Sequence, residues 1–173
     1  MTNPLFYAKI LLFGEYGIIE DSQGLTLPYS FYKGTLKFSE NQSDFEKKSN
    51  ESLSKHAQYL SELNLPEAFK INVEAFKKDI KKGLFFDSNI PQGYGVGSSG
   101  ALVAAIFEKY SFIKYNPEEI SKNQLKDLKK VFGELESYFH GKSSGIDPLI
   151  CYMNLPILIE NKESVDKVSI PKE

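Results

Sequence analysis

The chain has 173 residues, the length of one domain or of one domain with a short appendage. Apolar residues make up 41% and charged residues 25%, a balance that excludes a disordered tail. The net charge of −2, with no basic stripe interleaved with aromatics, argues against nucleic acid as a partner.

Leu5 to Phe13 alternates as a strand, with Phe6, Ala8, Ile10 and Leu12 on one face. Gly14 and Gly17 break it, and Asp21 to Gly24 reads as a polar turn. Leu25–Tyr29 and Tyr32–Phe38 follow as strands separated by Pro28 and Ser30, and the polar stretch Ser39 to Asn50 reads as a solvated loop. Leu53, Ala57, Leu60 and Leu63 have helical spacing, in a helix that stops before Pro66. Lys70 to Lys82 fits a strand or a helix. Leu84 to Ile90 is a strand feeding a glycine-rich segment, and Ala101 to Tyr110 is a helix with Leu102, Ala105 and Ile106 inward. Asn116-Pro117-Glu118-Glu119 has the composition of a helix start. The stripe Leu125, Leu128, Phe132, Leu135 and Phe139 continues that helix to Gly141, with a break around Ser121 to Asn123. Ile146 to Ile159 supplies one or two further strands, and the mixture of elements gives an α+β class.

Lysine supplies all 21 basic residues, so phosphate must be held by backbone N–H groups, lysines or a metal, and never by a guanidinium fork. The single cysteine, Cys151, excludes an intrachain disulfide and points to a reducing compartment, with the cytoplasm as the default. No apolar run approaches the ~20 residues of a membrane span, and the stretch from Ile10 to Phe13 is too short for a signal peptide.

Three segments carry chemistry. The first runs Pro91-Gln92-Gly93-Tyr94-Gly95-Val96-Gly97-Ser98-Ser99-Gly100-Ala101, between a strand and an apolar helix that starts near Ser98 or Ser99. Its glycines let amides turn toward an anion, and the free N–H groups of the helix start point to the same place. A flexible turn is the competing reading, against which the paired serines favour anion binding. The pattern is neither a Walker loop nor a dinucleotide fingerprint. In the second segment, Ala8-Lys9-Ile10-Leu11-Leu12-Phe13-Gly14-Glu15-Tyr16, Lys9 taken alone reads as an edge-strand lysine reaching solvent. The third runs from Glu136 through His140, Gly141, Ser143 and Ser144 to Asp147-Pro148. Glu136 and His140 share a helix face, and Asp147 taken alone reads as a turn aspartate. His56 and His140 lie far apart with no third ligand at metal spacing, and Ser98 and Ser99 do not sit in a nucleophile elbow.

In this order the three segments resemble the motifs of the GHMP kinases. The glycine segment is similar to Pro-x-x-x-Gly-Leu-Gly-Ser-Ser-Ala, with Val96 for Leu and Gly100 for Ala. The second resembles Pro-Gly-Lys followed by Leu-x-Gly-Glu-His, with Tyr7-Ala8 and Tyr16 as departures. The third is similar to Glu-x-x-x-His-Gly-x-x-Ser-Gly-x-Asp of the mevalonate kinase branch. The resemblance implies an α+β GHMP kinase N-terminal domain over residues 1–173, a mixed or antiparallel sheet packed against helices, that binds ATP and substrate. It implies ATP and Mg2+ as cofactors and a small-molecule alcohol, mevalonate foremost, as acceptor; a sugar, homoserine or phosphomevalonate kinase and a non-catalytic ATP binder are the alternatives. It implies Asp147 as base beside Lys9, and a triphosphate cradle of Gly93, Gly95, Val96, Gly97, Ser98 and Ser99. Magnesium would fall to Ser99 and Glu136, and Lys9, Glu15, His140, Ser144 and Asp147 would line the substrate side. The family's third glycine-rich motif is not found after Pro148, so the chain reads as part of a longer protein, an incomplete reading frame or one component of a split one. The partners implied are a C-terminal half or a second copy in a homodimer, and little catalysis is expected from the chain alone.

Overall fold

The structure, a computed structural model, describes residues 3–14 and 23–169. The expected break at Gly17, the start of the turn at Asp21, and Glu15 and Tyr16 lie outside the described residues. An antiparallel sheet is built around one long strand. β1 (Phe6–Phe13) and β2 (Gly24–Phe38) form a hairpin, and the far half of β2 carries β3 (Leu84–Ser88). The near end of β2 pairs with β4 (Ile157–Ile159), which pairs in turn with β5 (Val165–Lys167).

The two strands expected on either side of Pro28 and Ser30 are one strand. The break appears instead as a bulge: Ala8 faces Tyr29, but the next residue back, Tyr7, faces Lys33. The skipped residues twist the hairpin without ending it, and the rings of Tyr29, Phe31 and Tyr32 cluster there. Inward alternation on β1 holds at Phe6 and Ala8 and fades by Leu12, which is 53% exposed.

Among the described residues five α-helices cover the sheet. α1 spans Asp44–Glu62, α2 Val73–Lys81, α3 Ser98–Tyr110, α4 Lys122–His140 and α5 Ile146–Met153. α3 packs against β1, β2, α4 and α5. Its Ala101, Val103, Ala104, Ala105, Ile106 and Phe107 are all buried, as a central helix apolar on every side requires. The fully buried rings of Phe76, Phe107 and Phe132 anchor the layers, each worth roughly 1.5–3 kcal/mol of burial. The expected α4 stripe is inward, with Leu125, Leu128, Phe132 and Leu135 buried and Phe139 half-buried.

Three expectations are corrected. The stretch read as a solvated loop, Ser39 to Asn50, contains the first turns of α1. Ser43 and Glu46 form a capping box, with the Ser43 N–H donating to Glu46 at 2.7 Å. The polar residues behind it serve the backbone of α2 and β3: Asn50 donates to the Ile80 and Leu84 carbonyls, and Ser49 accepts the Phe86 N–H at 2.9 Å. Next, Asn116 to Glu119 makes an isolated turn, and α4 starts afresh after Ser121, where the break was expected, with its own capping box to Gln124. Finally, most of Ile146 to Ile159 is helix and not strand. An apolar run that is buried all round carries no period to tell the two apart. Gly145 at φ 75° starts the helix, Asn154 at φ 50° ends it, and Pro148 sits in the first turn, where its missing N–H costs nothing.

The capping box is a local test of this assignment. Ser43→Ala is expected to lower stability by about 1 kcal/mol in urea unfolding with an unchanged denaturant slope. No loss would mean that α1 begins later than Asp44.

Candidate active site

The glycine segment leaves β3 and arrives at α3 through Gly97, the N-cap, at φ 82°. A side chain there would be strained, and its Cβ would stand 2.9 Å from Cγ of Lys9 and 3.4 Å from Sγ of Cys151. The segment lies along the open edge of β1, where the Lys9 N–H donates to the Val96 carbonyl at 3.0 Å. Gly93 and Gly95, also at positive φ, have open space around them. The serines after Gly97 therefore begin α3 with their N–H groups uncommitted to the helix.

Lys9 is indeed on an edge strand, but its ammonium does not reach for solvent. It pairs with Asp147 at 2.9 Å, its side chain only 12% exposed. Asp147 is not in a free turn but in the first turn of α5, after Gly145. The two helix starts touch: a Cβ on Gly100 would lie 2.7–2.9 Å from backbone atoms of Asp147 and Pro148. Glycine at position 100 is thus what allows α5 to bring its carboxylate against the start of α3.

A second carboxylate lies deeper. Glu136, on the last turns of α4, is 3% exposed, and both its oxygens accept hydrogen bonds. Ser99 donates to one at 2.8 Å and Ser143 to the other at 2.5 Å. Burial pushes its carboxyl up from the ordinary value; the serine hydrogen bonds oppose this, and the nearby Asp147 adds to the rise. His140, exposed, places Nε2 3.0 Å from the Ser99 hydroxyl. Beneath the loop, the fully buried Cys151 thiol approaches the Gly97 carbonyl at 3.7 Å, and burial raises it well above its ordinary value.

Ser99, His140 and Asp147 line a cleft of about 850 Å3, and Lys9 and Glu136 stand behind that lining, bonded to Asp147 and Ser99. Gly93, Gly95, Gly97, Ser98, Ser99, His140 and Asp147 form its polar side. Phe45, Leu53, Phe86, Leu102 and Phe139 give it an apolar side. A model of the GHMP kinases N terminal domain matches residues 55–154. The chain belongs to this family. Among curated proteins none matches the sequence. Solved structures that share the fold include the L. major mevalonate kinase in complex with R-mevalonate (TM-score 0.57, 14% identity) and the Methanococcus jannaschii mevalonate kinase (TM-score 0.57, 17% identity). The matches cover 99% and 97% of this chain but 53% and 56% of those chains, so it spans about half their length.

Of the residues singled out in the sequence of this GHMP kinase domain, Gly93, Gly95, Gly97, Ser98, Ser99, His140 and Asp147 line one cleft, and Lys9 and Glu136 reach it through their bonds to Asp147 and Ser99. Val96 contributes its carbonyl to β1 and does not line the cleft. Ser144 is exposed and outside the cleft; its hydroxyl accepts the Ile146 N–H at 3.4 Å, at the start of α5. Sequence reasoning passed over Ser143, which holds Glu136, and Gly133, whose bare face admits the Ser143 carbonyl (3.0 Å from an added Cβ). The only signal for either was a serine beside the expected one and a glycine inside a helix. It also passed over the side chains of α1 that line the cleft, having read their start as loop.

The buried carboxyl gives a pH signature. Folded Glu136 keeps its proton to higher pH than it does in the unfolded chain, so the folded state binds more protons in the window between the two values. Stability contributed by this group falls as pH rises through that window. The stability of wild type minus that of Glu136→Gln is therefore expected to decline from the ordinary glutamate range upward and then level off. Chemical denaturation of both proteins across acidic to neutral pH checks this; a difference that rises with pH would contradict it.

Proposed function

We propose that this chain is the ATP- and acceptor-binding N-terminal domain of a cytoplasmic kinase that phosphorylates a small-molecule hydroxyl, with mevalonate as acceptor and 5-phosphomevalonate as product, feeding isoprenoid synthesis. The observation that carries the reading is the Lys9–Asp147 ion pair, set beside a glycine-rich helix start in one cleft. The amides from Gly93 to Ser99 point at the triphosphate, with the α3 dipole behind them. Asp147 accepts the proton of the acceptor hydroxyl as its oxygen bonds to the γ-phosphorus. The bond from that phosphorus to the β–γ bridging oxygen breaks, and ADP leaves with the electron pair. Lys9 holds Asp147 in place and orients the hydroxyl. Glu15 and His140 are assigned to the acceptor side; Ser144, outside the cleft, receives no such role.

Magnesium fits the donors present. The Ser99 hydroxyl and the Glu136 carboxylate are hard oxygens 2.8 Å apart, and among the described residues no cluster of three or more acidic, histidine or cysteine side chains offers an all-protein cage. Two protein oxygens, with phosphates and water completing the shell, is a magnesium habit. When bound, the ion neutralises charge on the β- and γ-phosphates. The remainder of the enzyme is assigned to a C-terminal half, supplied in the same chain or by a partner. That the L. major structure holds R-mevalonate supports the acceptor. The Lys9–Asp147 pair favours a transferase over a non-catalytic ATP binder, because binding alone has no use for a base.

The test is mevalonate-dependent ADP release by the product of the complete reading frame with magnesium present. Asp147→Asn is expected to lower turnover by about 10²–10⁴-fold while nucleotide affinity changes little. Release that ignores mevalonate, or that survives in the variant, would overturn the acceptor or the base respectively.

A further inference from the structure

The cleft has a second wall that the motifs do not describe. Phe45, Lys48, Ser49 and Ser52 stand at i, i+3, i+4 and i+7 on α1, one helical face, and all four line the cleft across from the start of α3. Among the residues lining it, Lys48 is the one that carries a fixed positive charge. Lys9 is committed to Asp147 at 2.9 Å. The sequence contains no arginine. Other exposed lysines are either tied to carboxylates, as Lys37 and Lys122 are at 2.6 and 2.7 Å, or, like Lys47 and Lys55, lie outside the cleft. Lys48 has no ion pair and no hydrogen bond among the described residues, and its side chain is exposed.

Resting on the kinase reading above, we propose that Lys48 is a phosphate-binding residue of this cleft, reaching from α1 onto the nucleotide phosphates from the side opposite the glycine loop. Amides and the partial charge of one helix start offset only part of a triphosphate. A lysine on a flexible stem adds a full charge that moves with the phosphates. Phe45, one turn before Lys48, together with Phe86, Leu102 and Phe139, gives the same cleft an apolar surface for the base. The loop fixes the phosphates by geometry, and α1 fixes them by charge.

Calorimetric titration of the purified product of the complete reading frame with MgATP, MgADP and adenosine tests this on wild type, Lys48→Met and Lys48→Arg. The methionine variant is expected to bind MgATP and MgADP about tenfold more weakly, with a shallower salt dependence, and adenosine as wild type does. Arginine, keeping the charge, is expected to restore most of the loss. Because Lys48 is exposed and has no bond among the described residues, all three proteins are expected to unfold at the same denaturant midpoint. If wild type binds MgATP and Lys48→Met binds it equally well, this assignment falls and the nucleotide cleft stands. An equal loss for adenosine and MgATP would place Lys48 on the nucleoside and also overturn it. If wild type binds neither MgATP nor MgADP, the kinase reading of the cleft falls, and this inference with it.

Discussion

Two helices of this fold start at the same point. The backbone of Asp147 and Pro148, opening α5, presses against α3 where Gly100 lacks a side chain, so the positive ends of both helix dipoles lie at one place. Two such ends repel one another, each with the field of roughly half a positive charge. The ammonium of Lys9 adds another charge from below. Asp147 offsets part of this, standing both in the first turn of α5 and against Lys9. Glu136, behind Ser99, offsets most of the rest, so what the junction offers an anion is the free N–H groups at the start of α3 rather than a net positive charge.

The same junction explains why Glu136 can be buried. Its two oxygens are met by hydroxyls, one from the start of α3 and one from the turn before α5. That turn reaches α4 only because Gly133 and Gly145 are bare: a Cβ on Gly145 would overlap the Lys129 carbonyl. A carboxylate in this position is destabilising beside an apolar residue of the same shape. A role of the kind proposed for it, holding a metal ion, would account for a buried carboxylate that costs some stability.

How much of this could be read in the sequence depended on how local the determinant was. The glycine spacing, the paired serines and the four-residue step from Glu136 to His140 are short-range patterns, and they located the loop, the helix start and the last turn of α4. Lys9 and Asp147 belong to strand and helix at opposite ends of the chain, so each alone reads as an ordinary surface residue, and only resemblance joined them. The first turns of α1 were lost for another reason. Ser49 and Asn50 look like loop residues because their partners, the backbone groups of Ile80, Leu84 and Phe86, are invisible from composition. Helix α5 was lost because residues buried on every side show neither period. Both errors concealed cleft geometry: one hid the α1 wall, the other the true setting of Asp147.

The edge of β1 supplies the remaining constraint. An edge strand exposes N–H groups that can pair with any passing chain, and proteins cover or interrupt such edges. Here the cover is the glycine loop itself, through the bond from the Lys9 N–H to Val96. Lys9 is therefore held twice, its backbone by the loop that faces the cleft and its ammonium by Asp147. Gly97 closes this arrangement from above, since any side chain there would drive into the Lys9 stem. A shift of the loop toward or away from a bound anion cannot leave the Lys9–Asp147 geometry untouched. The segment that would grip phosphate and the pair that would handle the hydroxyl proton are mechanically one unit, and substitutions at Gly97 act on both together.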